Sequence, residues 1–326
     1  MASFRYENVY IKDAYSIAGP YEKKGKIENY NLTIDDLAYG EKTFEQAEIK
    51  MQVKAIDSLM AKNYLNDCQV NLLIGGDLSN QLTTSCVTAS KYKIPFIGVY
   101  SACASFNESV IIAANYLQNS LKKIIAFTSS HNLNSEKQFR YPIEYGAPKK
   151  ECTTFTATGA VATLLTTEIT NIKIESATIG RVVDYGIKDA NNMGAVMAPA
   201  AYHVLLDHLY ELNRNINYYD LILTGDLGKV GTQLFHALLS KQHLKAKKHL
   251  DAGMEIFTKN QDVKSGSSGP VTLPLVLFNK IIPEKKYHKI LLIATGSLHS
   301  PSLVNQKNSL PSIAHAISLE VNNDLS

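Results

Sequence analysis

An eight-residue run recurs across the chain. Asn71-Leu72-Leu73-Ile74-Gly75-Gly76-Asp77-Leu78 reads like Asp220-Leu221-Ile222-Leu223-Thr224-Gly225-Asp226-Leu227. Lys123-Ile124-Ile125-Ala126-Phe127-Thr128 is echoed, in the same order, by Lys289-Ile290-Leu291-Leu292-Ile293-Ala294. Short apolar runs of this kind read as strands buried on both faces of a sheet. Two matches in one order point to a duplicated α/β unit with pseudo-twofold symmetry. Chance likeness of short apolar strands is the alternative. Duplication divides the 326 residues into an N-terminal half, 1–168, and a C-terminal half, 169–326, folded as one compact unit.

The first half carries the stretch with the most chemistry. Ile94 to Tyr100 reads as a strand buried on both faces, and a helix follows almost at once. Ser105 and Glu108 have capping-box spacing, while Phe106, Val110, Ala113, Ala114, Leu117 and Leu121 fall on one helical face. Cys103 therefore stands in the elbow between strand and helix. The unpaired N–H groups and the positive end of the helix dipole favour a thiolate or a bound anion there. A thiol that merely packs is the competing reading, since free cysteine is among the most buried residues.

Composition narrows the function. With 33 basic and 30 acidic residues the net charge is +3, too small and too scattered to argue for nucleic acid. Lys241 to His249 is locally basic and reads as a solvated helix face. The N-terminus lacks the apolar core of a signal peptide, and no apolar run reaches the ~18 residues of a membrane span. Four cysteines, at 68, 86, 103 and 152, have no zinc-like spacing, so reduced thiols inside a cell are the expectation. Membrane association would then come through a partner.

Further along, a helix is expected from about Thr43 to Ala61 and another through Thr83 to Lys91. Ser129 to Cys152 shows no sustained periodicity but is rich in polar side chains, as a site or subunit contact would be. Gly186 to Pro199 reads as a loop, with an amphipathic helix starting near Ala201. Val271 to Ile282 reads as a buried helix with Pro274 in its first turns, and Ala314 to Val321 as a closing strand.

A duplicated α/β chain with a cysteine at such an elbow resembles the thiolase superfamily, which includes thiolases and β-ketoacyl-carrier-protein synthases. The motifs run the length of the chain: Gly75-Gly76-Asp77-Leu78, Ser101-Ala102-Cys103, Ser129-Ser130-His131, Glu136 to Pro142, Glu144-Tyr145-Gly146, Met193-Gly194-Ala195, Met197-Ala198-Pro199-Ala200, Gly225-Asp226-Leu227-Gly228 and Ile313-Ala314-His315-Ala316. The resemblance implies five layers, αβαβα, with two mixed sheets around a central helix pair that includes the Cys103 helix. It also implies a homodimer. Within the superfamily the chain is most similar to a noncatalytic sporulation branch. That implies binding of dipicolinic acid (pyridine-2,6-dicarboxylic acid), free or as its calcium chelate, for uptake into the developing spore. It further implies a forespore location, peripheral to the inner spore membrane through membrane proteins of the same uptake system, and no cofactor.

The residues agree with a loss of catalysis. A condensing enzyme needs, besides cysteine, a histidine and a second His or Asn to hold the thioester oxygen and move the proton. Gly225-Asp226-Leu227-Gly228 occupies the stretch of the usual histidine loop, and Ser265 to Gly269, where the asparagine is expected, contains none. An ionised Asp226 cannot donate to an oxyanion, and near Cys103 it would raise the thiol pKa. His131 and His299 each follow a strand end and leave an acyl-transfer enzyme using Cys103 as the alternative. For a planar dianion, Arg140 is the best bidentate donor, with an ion pair to Glu136 or Glu144 as the competing role. The candidate ligand-binding set is Cys103, His131, Arg140, Tyr141, Asp226 and Ser297, with no metal ligand among them.

Overall fold

The computed structural model describes residues 2–139 and 149–323. The first half runs β1 (Ala2–Arg5), β2 (Tyr10–Ala18), β3 (Leu32–Thr33), α1 (Phe44–Lys62), β4 (Leu72–Gly76), α2 (Thr83–Ala89), β5 (Phe96–Gly98), α3 (Ser105–Asn119), β6 (Lys123–Ser130), α4 (Asn132–Phe139), β7 (Phe155–Thr156) and β8 (Gly159–Thr166). The second runs β9 (Ile172–Ile179), α5 (Met193–Glu211), β10 (Leu221–Thr224), α6 (Gly228–Lys241), β11 (His249–Asp251), β12 (Ser267–Ser268), α7 (Thr272–Val276), β13 (Lys289–Ser297) and β14 (Ser312–Val321).

Strand order exposes the internal repeat. The main sheet runs β11-β10-β13-β14-β9-β2-β8-β6-β4-β5. Outward from the centre, each half places its first, fifth, fourth, second and third long strand in turn, so both halves thread the same path. In each, the second strand is parallel to the third and fourth, and the fifth runs antiparallel. The two sheets expected are joined into one 12-stranded sheet. Tyr10 and Ile11 pair with Lys173 and Ile172, because each half presents its first strand as an inner edge with free backbone groups that the other can satisfy.

Three apolar clusters fill the layers. One lies between the halves: α3 supplies Phe106, Val110 and Leu117, and the segment from α7 supplies Leu273, Leu275 and Leu277. Phe106 meets Phe278 edge-on, with ring centroids 6.2 Å apart. This is the central helix pair. A second cluster packs α5 and α6 on the C-terminal strands, and a third packs α1 on β4, β6 and β8. Helix, sheet, helix pair, sheet and helix thus follow in sequence. The apolar run from Val271 becomes a short helix that widens into a π-helix at Leu277–Ile281.

Several local expectations are corrected. Ile94–Tyr100 is not a strand covered on both faces: only Phe96–Gly98 is extended, it ends the sheet, and Phe96 and Ile97 are half-buried. Ser105 is the first residue of α3, not its cap; its hydroxyl accepts from Ser101 N and donates to Ala102 O. Met193–Pro199 is not a loop but the start of α5, capped by the Asn192 side chain on Ala195 N. Glycine and proline suggested a break, yet α5 continues through Pro199, its seventh residue, at the loss of one intrahelical hydrogen bond. Lys241–His249 is not a helix face: α6 ends at Lys241 and turns lead into β11. The aperiodic 129–152 stretch holds helix α4.

Candidate functional site

The elbow is a strained turn held by its neighbours. Ala102 has φ 49, in the left-handed region that a residue with a Cβ adopts only at a cost. Ala104 N donates to Ser101 O at 2.9 Å, closing the turn and directing Cys103 inward. Gly296, at the end of β13, presses against it: a Cβ there would lie 2.1 Å from Ser101 O and 3.2 Å from Ala104 N. Beneath, Ser101 Oγ lies 3.3 Å from His315 Nε2, while Gly180 N–H donates to His315 Nδ1. That assigns the ring proton to Nε2, and burial pushes His315 down to about 4, so it is a neutral prop.

Cys103 is buried, and burial pushes its thiol well above the usual range; Asp226, whenever ionised, acts in the same direction. Asp226 sits just past β10 at φ 71, fully buried, and neither carboxylate oxygen has a hydrogen-bond partner. Burial, then the charge of Asp251, raise its pKa well above that of an ordinary carboxylate. The Gly269 amide favours the charged forms of both Cys103 and Asp226, and the Thr272 hydroxyl does so for Asp226. Gly269 follows β12, which pairs with β7 and so fastens this loop to the N-terminal half. The site therefore lies where the two halves meet, with one central helix starting on each side.

Asp251 is the better hydrogen-bonded acid. It accepts from Thr224 Oγ1 at 2.8 Å, Gly228 N at 2.8 Å and Leu227 N at 3.1 Å. Burial nevertheless lifts it to about 7. Thr224 Oγ1 is 2.8 Å from His249 Nε2, and His249 Nδ1 is 3.0 Å from His236 Nε2. Because Thr224 donates to Asp251, the chain runs in one direction, His236 to His249 to Thr224 to Asp251.

Of the residues expected at the site, the structure brings together Cys103 and Asp226. Ser297 directly follows Gly296 at the elbow, and its hydroxyl is 3.0 Å from His299 Nδ1. The His299 ring meets Phe139, the last residue of α4, at 5.0 Å. His131 turns away from Cys103: its Nε2 is 2.8 Å from Leu37 O and its ring stacks on Phe44. Arg140 and Tyr141 lie outside the described residues. Asp251, Gly269 and Thr272 escaped the sequence reading because each enters by tertiary contact. His315 lay in a recognisable motif but had no assigned role. Among the described residues, no group of three His, Cys, Asp or Glu side chains could hold a metal ion.

This two-halved architecture with its buried cysteine elbow defines a thiolase-like protein. Solved structures similar to it include 3-oxoacyl-[acyl-carrier-protein] synthase III from Aquifex aeolicus (TM-score 0.54, 13% identity, 96% of this chain and 97% of that one). OleA from Xanthomonas campestris is also similar (TM-score 0.63, 13% identity, 97% and 99%). The sequence profile of the family described as Stage V sporulation protein AD (SpoVAD) matches residues 3–320. Stage V sporulation protein AD of Bacillus subtilis (strain 168) is 37% identical over 318 residues, covering 96% of this chain and 94% of that protein. The chain belongs to the stage V sporulation protein AD family.

Proposed function

We propose that this sporulation protein is a noncatalytic binder of dipicolinic acid, free or as its calcium chelate, that uses the Cys103 pocket. One observation carries the reading: the place beside the thiol is held by Asp226, a buried carboxyl, while the thiol itself is pushed toward its unreactive neutral form. A condensing nucleophile needs the reverse, a lowered thiol pKa. The groups around Cys103 suit a small flat anion: the amino end of α3 starts two residues on, the Gly269 amide faces the thiol, and the sulfur is polarizable against a ring.

Arg140, Tyr141 and Ser297 complete the proposed set. Arg140 and Tyr141 directly follow α4, which is tied down by Gln138 Nε2 to Leu78 O at 2.9 Å and Lys137 to Glu45 at 3.0 Å. The proposed partners are a second copy of this chain and membrane proteins of the spore uptake system, with the protein peripheral to the inner membrane of the forespore. β5 ends the sheet with unpaired backbone groups that a second copy would satisfy. Among the described residues no helix is long and apolar enough to cross a membrane.

Calorimetric titration of wild type, Cys103→Lys and Arg140→Ala with dipicolinate, with and without calcium, tests the proposal. Binding by wild type that Cys103→Lys abolishes is the expected result, with a loss of about tenfold or more in Arg140→Ala. Equal behaviour in all three places the ligand elsewhere. A stoichiometric acyl adduct on Cys103 after incubation with acetyl- or malonyl-thioesters would replace the binder with an acyl-transfer enzyme.

A further inference from the structure

A dianion beside a buried aspartate poses an electrostatic conflict, and the geometry around Asp226 and Asp251 resolves it. We propose that Asp226 serves the Cys103 pocket as a neutral carboxylic acid and donates a hydrogen bond to a carboxylate of the ligand. The inference rests on the binding reading above.

The two acids differ in what surrounds them. Asp251 accepts a hydroxyl and two backbone N–H groups, the arrangement that stabilises a carboxylate. Asp226 is 0% exposed and both its oxygens lack a partner. Leaving a charge in that state costs far more than protonating the group. Two neighbouring carboxyls in unlike surroundings divide the roles, one holding the charge and the other the proton. The titratable group acting on Asp226 is Asp251, from the end of β11; Cys103, from the elbow, lies beside it as a neutral thiol, and the Gly269 amide and Thr272 hydroxyl act more weakly in favour of the charged form. Burial, and after it the charge of Asp251, favour its protonated form.

Protons have a route to Asp251. The one-way chain from half-buried His236 through His249 and Thr224 ends on Asp251, whose backbone partners Leu227 and Gly228 directly follow Asp226. A ligand carboxylate entering the pocket gives the Asp226 O–H the acceptor it lacks. Affinity is then full while Asp226 is protonated and falls as pH rises and the carboxyl ionises against the dianion. On the alkaline side binding takes up a proton.

The test combines a readout without ligand and one with it. Infrared difference spectra of wild type against Asp226→Asn at pH 7 should show a protonated-carboxyl C=O band that the variant lacks; its absence overturns the inference whatever binds. Calorimetry with dipicolinate should show Asp226→Ala weaker by about tenfold or more, with Asp226→Asn, whose amide still donates, recovering most of that loss. Wild-type affinity should decline with rising pH while that of Asp226→Asn stays flat. Affinity that rises with pH, requires calcium and is lost in Asp226→Asn would make Asp226 an ionised metal ligand and overturn the donor role. Wild type that retains the acid band but binds no dipicolinate overturns the binding reading, and the donor role with it, while leaving the protonation state standing.

Discussion

Gly194→Ala tests whether the close crossing of α5 and α6 positions the Asp226 loop. In a free helix this substitution stabilises, by at most about 1 kcal/mol. Here the new Cβ would lie 2.5 Å from Leu227 O, 2.8 Å from Gly231 N and 3.1 Å from Gly231 Cα. All three are backbone atoms, so no side chain can swing aside and the start of α6 must move. Overpacking of that kind costs about 1–3 kcal/mol, and with no flexible neighbour the upper part of that range applies. The steric cost exceeds the propensity gain, and the net effect is a loss of about 1–2 kcal/mol. Urea unfolding should show a lower midpoint at unchanged slope. Leu227 N also donates to Asp251, so dipicolinate binding should weaken together with stability. A raised midpoint, as helix propensity alone demands, would refute the crossing.

Alkylation of the folded protein by iodoacetamide at pH 8, followed by intact mass spectrometry and peptide mapping, should modify exposed Cys68 and Cys86 while sparing Cys103, whose thiol is buried and raised in pKa. Phe106→Ala empties a fully buried position between the central helices. It should cost about 3–5 kcal/mol in denaturant unfolding, and a loss below about 1 kcal/mol would deny the packed pair. Glu48, between Ser129 and Asn134, is raised to about 8 by burial and then by the charge of Asp77. Its folded pKa exceeds its unfolded one, so its contribution is complete below the ordinary glutamate value and is lost as pH rises through about 8. Between pH 7 and 8 wild type should lose stability by up to about 1.4 kcal/mol per pH unit, and Glu48→Gln should flatten that slope.

The sequence by itself determined the duplication, because each apolar strand run is a local pattern and the two runs repeat in one order. It also placed Cys103 at a strand-to-helix elbow and Asp226 after the matching strand of the second half, since motif order survives without knowledge of contacts. Only the tertiary structure decided that the two sheets join through Tyr10–Ile11 and Ile172–Lys173, because backbone pairing between inner edges leaves no mark on side-chain periodicity. It decided too that Met193–Pro199 is helical: Gly194 is there for the approach of Gly231, a reason that lies 37 positions away in the chain. At the site, the sequence supplied an aspartate and the fold supplied its state. Whether a carboxyl carries a charge depends on burial and on partners brought from β11, the Gly269 turn and α7, and those meet Asp226 only when the halves close on each other.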